Sequence, residues 1–278
     1  MRWTAGAKST KAATIAFGMD NEKPTSAGEY KRWLAKEHGC ECDRVEPYYD
    51  SVTSKVKADL EKGPFWASLK HELREFDDQY QGLTGFPLLM GGQDLEIHVK
   101  PFESFVLKTF RKNVLNNRRW PGEPDGGWFI PNACFARIND VLRTLLVVKY
   151  MDGVQFMAAR LKALCDGKKI DYRDFFEARE EGYYAAHTYM KQTFEIPKMN
   201  WDTQMVELSI EIQVTTQLQE TIRKLLHRYY EEKRGRVDKE RWQWDYKSDE
   251  FAANYLGHIL HYIEGMIVEI REKQRGLR

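Results

Sequence analysis

The sequence predicts an α+β fold, with helices first, then a mixed sheet with its own helices, then one long closing helix. Three patterns carry that expectation. Phe65, Leu69, Leu73, Phe76 and Tyr80 recur at spacings of three and four, the apolar stripe of an amphipathic helix. Val206, Leu208, Ile210, Ile212 and Val214 alternate strictly with Glu207, Ser209, Glu211 and Gln213, the period of a strand with one face in a core. Phe251, Tyr255, Ile259, Tyr262, Ile263 and Met266 mark a helix over Glu250–Lys273.

Residues 1–25, rich in Ala, Lys, Thr and Gly and without a period, read as a flexible leader. Ser26 followed by Glu29 is a capping box that opens a short helix through Trp33 and Leu34. Pro47 is placed to start a second helix that runs to Glu61 and stops at Gly63. Pro64 restarts the chain, and Gly82, Gly85 and Pro87 end the helix bearing the Phe65–Tyr80 stripe. Gly91 and Gly92 mark a loop. The basic stretch Lys100–Arg119 reads as helical from Glu103 to Leu115, and Arg118–Asn132, with three Pro and three Gly, as a long loop. Val141–Lys149 is a short buried strand and Val154–Leu164 a helix. Gly182–Lys191 alternates, with Tyr183, Ala185, His187 and Tyr189 on one side. Thr216–Lys233 is a helix with Leu218, Ile222, Leu225 and Tyr229 as its stripe, and 234–245 a charged connector containing Trp242 and Trp244. The organisation expected is 1–45, leader and short helix; 46–90, a helical N-terminal part; 91–235, the core; and 236–278, a C-terminal helical extension.

Composition narrows the function classes. With 278 residues, 42% apolar and 13% aromatic, the chain has the means to bury a core, which excludes global disorder. Forty-three Lys and Arg against 42 Asp and Glu leave +1, so the molecule as a whole is not built to coat a polyanion, though a local basic patch is compatible with that balance. Mean hydropathy is −0.64, and no apolar run approaches the ~20 residues of a membrane span. The N-terminus lacks the apolar stretch of a secretory signal, and a cytoplasmic location is expected. Cys40, Cys42, Cys134 and Cys165 suit a reducing compartment; His38, Cys40 and Cys42 form half of a zinc pattern without a second half, and the thiols read as ordinary surface groups.

Five constellations carry chemistry. Lys100, Ser104 and Lys108, following His98, would line one side of a helix with Arg111 and Lys112 a turn further, two ammonium groups and a hydroxyl suited to a polyphosphate or else a solvated basic face. Glu211 sits mid-strand, opposite a fully apolar face, where a carboxylate needs a partner. Asp140 precedes the buried strand; paired with Glu211 it suits Mg2+, which takes one or two carboxylates plus substrate phosphates. Tyr183 and His187 share a strand face beside Gly182, where a phenol ring stacks a base and a His reaches phosphate, or both fill a sheet core. His227 lies on the helix face opposite the Leu stripe and by itself reads as a surface residue.

Taken together, these segments resemble the synthetase domain of the RelA/SpoT family. That domain carries R-x-K-x-x-x-S-x-x-x-K, D-[IL]-x-G-x-R, G-Y-x-[SA]-x-H and E-[IV]-Q-[IV]-R-T, followed by a helix bearing a His. Here the counterparts are His98–Lys108, Asp140–Leu145, Gly182–His187 and Glu211–Thr216, with His227 sixteen residues after Glu211. The resemblance implies a nucleotidyltransferase-like fold, a mixed and mostly antiparallel central sheet flanked by helices. It also implies a pyrophosphokinase activity for residues 91–235 with ATP as donor. His98, Lys100, Ser104, Lys108 and Arg111 would bind ATP. Asp140 and Glu211 would be catalytic and hold Mg2+, and Tyr183, His187, Gln213 and His227 would bind the acceptor.

The chain departs from that pattern at three arginines, which are His98, Leu145 and Thr215 here, and the segment before Gly182 is net acidic from Glu177 to Glu181. Two unopposed Glu side chains there disfavour a free diphosphate acceptor. The resemblance therefore points to the toxic small alarmone synthetase subgroup, which modifies the tRNA 3′-CCA end, blocks aminoacylation and is held in check by a separate antitoxin protein. The alternatives are an alarmone synthetase using GDP, GTP or an adenosine nucleotide, and a silent nucleotide- or partner-binding module. Lys108, Arg111, Lys112, Arg118 and Arg119 would seat an acceptor stem, and Trp242 and Trp244 would meet an antitoxin.

Overall fold

The computed structural model describes residues 22–91, 95–200, 202–233 and 242–276, with the helix backbone alone for 226–233. Three helices lead: α1 (Ala27–His38), α2 (Cys42–Lys62) and α3 (Pro64–Thr84). The Ser26 hydroxyl accepts from the Glu29 amide and Gly39 closes α1 in the left-handed region, so this helix is capped at both ends by local chemistry. Strand β1 (His98–Val99) leads into α4 (Phe102–Phe110), which continues as a π-helical turn, Arg111–Leu115. Then come β2 (Leu142–Val148), α5 (Met151–Gly167), β3 (Tyr172–Ala178), β4 (Tyr184–Pro197), β5 (Thr203–Thr216), α6 (Gln217–Lys233) and α7 (Asp249–Gly276). The helix of Ser104 and Lys108 begins after Lys100, which sits on the bend between β1 and α4 rather than on the helix with them.

The five strands are ordered β1-β2-β5-β4-β3. Only β2 and β5 run parallel; the other three pairings are antiparallel, so the sheet is mixed and mostly antiparallel. One sheet face presents Leu142, Leu146, Leu208, Ile210, Ile212, Val214, Ala186 and Met190, all buried, to Met157 and Leu161 of α5. The other face carries Arg143, Glu211, Gln213, His187 and Tyr189. The leading helices buttress α4 through aromatic and hydroxyl contacts. The Tyr49 hydroxyl donates to the Lys100 carbonyl at 2.7 Å, and the Tyr30 hydroxyl meets Thr109 at 3.0 Å and accepts from Asn113 at 2.7 Å.

Several expectations change. β3 is an edge strand with most of its residues exposed, so it has no period-two signal to read. α2 begins at Cys42, ahead of Pro47. All four cysteines are buried, not surface thiols, and burial holds their thiols above the usual range. Among the described side chains of α6 the buried ones are Gln219 and Glu220, while Leu225 is 72% exposed; the side chain of Tyr229, the last of the expected stripe, lies outside the described residues. On α7 the expected stripe is largely outside: Ile259, Tyr262, Ile263 and Met266 are exposed, and Ala253, Asn254, Gly257, Glu264 and Arg271 face the protein. Trp242 packs edge-on against Tyr255, and Trp244 is exposed. No helix among the described residues is long and apolar enough to cross a membrane.

Small and polar groups dock α7. Gly182, at φ +76°, and Gly257 meet backbone to backbone: a Cβ on Gly257 would lie 2.3 Å from the Gly182 carbonyl oxygen. Further along, the Arg271 guanidinium donates to the Tyr80 hydroxyl at 2.8 Å and to Asp152 Oδ2 at 2.5 Å, tying α7 to α3 and α5. A Gly257→Ala substitution should therefore push α7 off the sheet and cost about 2 kcal/mol in chemical denaturation. Gly265→Ala on the same helix, whose Cβ meets only Met151 Cε at 3.7 Å, should be neutral or stabilise by up to about 1 kcal/mol. Equal effects at the two positions would refute the close-contact account.

Candidate active site

Strand register builds the site. His98 pairs with Arg143, Arg143 with Glu211, Glu211 with Tyr189 and Tyr189 with Arg173, one row crossing all five strands. The next row is Leu145, Gln213, His187 and Phe175. Neighbouring strands lie about 4.8 Å apart, so side chains along a row stand within reach of one another. Residues from β1 to β3 that are far apart in sequence thus share one surface.

At its β1–β2 end, Asp140 sits on the turn that enters β2, 3.0 Å from Lys100 Nζ and 2.8 Å from Lys108 Nζ. The three groups are mostly buried. Burial by itself would raise the Asp140 carboxyl, but the two ammonium groups outweigh it and hold the carboxyl below its usual value. Burial lowers Lys100, and Asp140 opposes that. Ser104 stands one turn before Lys108 on α4, half-buried on the same side, and Arg111 is exposed at the start of the π turn. Lys112 lies over the Phe129 ring at 4.8 Å, beside Arg137.

At the centre, Glu211 is 3% exposed. Its Oε1 is 2.7 Å from His187 Nδ1 and accepts from the Tyr189 hydroxyl at 3.0 Å. The other ring nitrogen, His187 Nε2, is 2.8 Å from Glu177 Oε2. The Tyr183 hydroxyl stands 3.3 Å from the same Nε2, and Phe175 stacks flat on the imidazole at 5.0 Å. Glu177 also pairs with Arg179 at 2.7 Å. Burial, with Glu177 and Glu211 adding to it, pushes the Tyr183 phenol up to about 12, and burial beside Glu211 raises Tyr189 too. Both phenols are hydrogen-bond donors at neutral pH.

The residues expected to act on ATP and metal come together in part by direct contact: Lys100, Lys108 and Asp140 touch. His98 and Glu211 join through the strand row. Tyr183 and His187 touch, and Gln213 flanks them. The side chain of His227 lies outside the described residues. Sequence reasoning missed Arg143, Tyr189, Glu177, Phe175 and Arg173. Arg143 had a signal: two residues before Leu145 on a strand, it shares that residue's face, so an arginine stands on the surface where the motif's own is lost. Glu177 was read as a charge against the acceptor, whereas the structure aims it at His187. Phe175 and Arg173 depend on a strand without periodicity.

Among the described residues no group of three or more His, Cys, Asp or Glu is arranged to hold a metal. Two carboxylates nonetheless suit Mg2+ when phosphates complete the shell. Asp140 Oδ1 is buried with the Lys108 ammonium 2.8 Å away, so a metal would take this oxygen in place of that lysine once a phosphate draws the lysine off. Chemically, the surface offers cations for phosphates (Lys100, Lys108, Arg143), carboxylates for a metal and a proton (Asp140, Glu211), and an aromatic wall for a base (Tyr183, Phe175).

An Asp140→Asn variant leaves Lys100 and Lys108 adjacent without a counter-charge and should lose roughly 2 kcal/mol of stability at neutral pH. Because the folded carboxyl titrates lower than the unfolded one, near 3.8, the wild-type advantage is full above that value and disappears as pH falls through the folded one. Denaturation curves of both proteins from pH 7 to pH 3 measure this; a gap independent of pH would refute it.

No protein-family model and no curated protein matches the chain. Among solved structures it is similar to the small alarmone synthetase 2 of Bacillus subtilis, at 17% identity over 75% of this chain and 93% of that one, with a TM-score of 0.45. It is similar to the small alarmone synthetase 1 of the same organism at 15% identity, covering 84% and 97%, with a TM-score of 0.47. It is also similar to a GTP pyrophosphokinase family protein from Streptococcus pneumoniae at 16% identity, covering 85% and 96%, with a TM-score of 0.48.

Proposed function

We propose that the protein is an ATP-dependent pyrophosphokinase that transfers the β,γ-pyrophosphate of ATP to a ribose 3′-hydroxyl, with the tRNA 3′-CCA end as acceptor. The observation that carries this reading is the meeting of Lys100, Lys108 and Asp140 at the edge of a sheet face on which Arg143 and Glu211 are in register. In the absence of nucleotide Asp140 neutralises the two lysines. A triphosphate competes for the ammonium groups, seats on Lys100, Lys108, Ser104 and Arg143, and frees the Asp140 carboxylate. Asp140 and Glu211 are then the residues to hold Mg2+, which supplies charge neutralisation on the phosphates.

The acceptor oxygen attacks the β-phosphorus as the bond from that phosphorus to the α,β-bridging oxygen breaks, and AMP leaves. Glu211 takes the hydroxyl proton. His187, in contact with Glu211 on one side and Glu177 on the other, gives that proton a path away from the reacting oxygen. Tyr183 and Phe175 flank the acceptor base, and Gln213 reaches its edge.

The exposed cations Arg111 and Arg118 support a nucleic-acid acceptor by offering phosphate contacts beside the site. Arg119 is engaged with Asp125 and would have to exchange partners. In this reading the protein is a growth-inhibiting toxin with a separate antitoxin and acts in the cytoplasm. A free nucleotide acceptor is the second reading, giving an alarmone. One observation favours it: Glu177 is held by His187 and Arg179, so it does not confront an incoming diphosphate.

The deciding experiment offers γ-labelled ATP with Mg2+ to tRNA, GDP, GTP and adenosine nucleotides in parallel. Label is expected on tRNA, with activity falling steeply as salt rises. Label on a nucleotide and none on tRNA would replace the first reading by the second, and label on neither would reject both. Glu211→Gln should lower the rate roughly 100- to 10,000-fold, whereas Glu177→Gln, which acts through His187, should cost less and shift the pH profile.

A further inference from the structure

Behind the sheet, on the face away from Glu211, α7 and α5 enclose a cavity of about 260 Å³ with the ends of β3, β4 and β5. Glu264 lines it. This side chain is 3% exposed, and neither of its carboxylate oxygens has a hydrogen-bond partner. Its polar neighbours bond elsewhere but keep protons to spare: Thr216 Oγ1 accepts from the Gln219 amide at 3.2 Å, and Gln219 Nε2 donates one hydrogen to the Gly257 carbonyl at 3.3 Å, so the hydroxyl proton and the second amide hydrogen lie beside Glu264 without a hydrogen bond of good geometry to it. His261 Nδ1 is 3.9 Å away, too far for a hydrogen bond. Burial raises the Glu264 carboxyl, and Thr216 and Gln219 oppose this only partly.

The rest of the lining is what a small planar molecule needs. Tyr184 lies flat on His261, with centroids 3.6 Å apart, and forms one wall; Phe176, 54% exposed, stands at the mouth, and Gln155 adds an amide. These groups take no part in the transfer chemistry above; Glu177, which also lines the cavity, turns to His187 and belongs to both. A carboxylate with both oxygens unpaired in such a site matches two parallel N–H donors on one edge of a flat group, the geometry of bidentate carboxylate pairing. We propose that this cavity is a second ligand site, taking a small planar molecule that presents an N–C–N edge of two donors to Glu264. A guanidinium and the 2-amino edge of a guanine base share that chemistry.

Calorimetric titration of the full-length protein distinguishes these sources. The probes are methylguanidinium and guanosine, with methylammonium and inosine as partners lacking the paired donors. One of the first two should bind saturably and at least tenfold more tightly than its partner, and the tighter arm names the source. Glu264→Gln should weaken that binding at least tenfold while melting no lower than wild type, since the amide removes an unpaired carboxyl from the interior. Absence of binding by both probes, or unchanged affinity in Glu264→Gln, would overturn the proposal. Should that variant fail to fold, Gln155→Ala serves in its place, and undiminished affinity there overturns the proposal equally.

Discussion

Asp140 between Lys100 and Lys108 is the junction on which the arrangement depends. The three residues come from the bend after β1, from α4 and from the turn entering β2, so this single cluster fixes where the helix meets the sheet. Each ammonium is costly to bury alone, and the shared carboxylate offsets both. In the proposed function the same cluster is a poised receptor: its charges are mostly buried and already gathered in one place, so an anion that replaces the carboxylate at the lysines meets little reorganisation.

The sheet does the second half of the work. Parallel pairing of β2 with β5 in one register sets Arg143 beside Glu211, and the antiparallel β4 brings Tyr189 and His187 to the other side of that carboxylate. A shift of one residue in either pairing would turn Glu211 into the apolar face against α5 and carry Ile210 or Ile212 outward. The hydrophobic face thus enforces the polar one: burial of Leu208, Ile210, Ile212 and Val214 holds the carboxylate in place. Glu211 is in turn satisfied by a ring nitrogen and a phenol rather than left unpaired.

The closing helix obeys a different logic. α7 approaches through Gly257 because only a residue without a Cβ fits against Gly182, and it is held by Arg271 reaching Tyr80 and Asp152. Its larger apolar residues, Ile259, Ile263, Met266 and Ile270 among them, remain at the surface. This close approach also shuts one side of the cavity around Glu264.

Much of the architecture was legible from the chain. The alternation over Val206–Val214, the Phe65–Tyr80 stripe and the Ser26–Glu29 cap each report a local period or a local hydrogen bond, and such signals survive without tertiary context. The candidate site was legible where residue type and spacing coincide, at Lys100, Lys108, Asp140, Glu211, Tyr183 and His187. Arg143 was visible only once its strand face was known, and Glu177 and Phe175 only once an edge strand with no periodic pattern had been placed. The α7 stripe misled because helical period states that one side is apolar, not that this side is buried; a backbone contact between two glycines decided the orientation instead. The sequence by itself determined the elements and the chemical groups they carry, since propensity, capping and period are local. Tertiary structure alone decided which groups meet, because strand register and the choice of packed face depend on partners distant in the chain, more than a hundred residues apart for Tyr80 and Arg271.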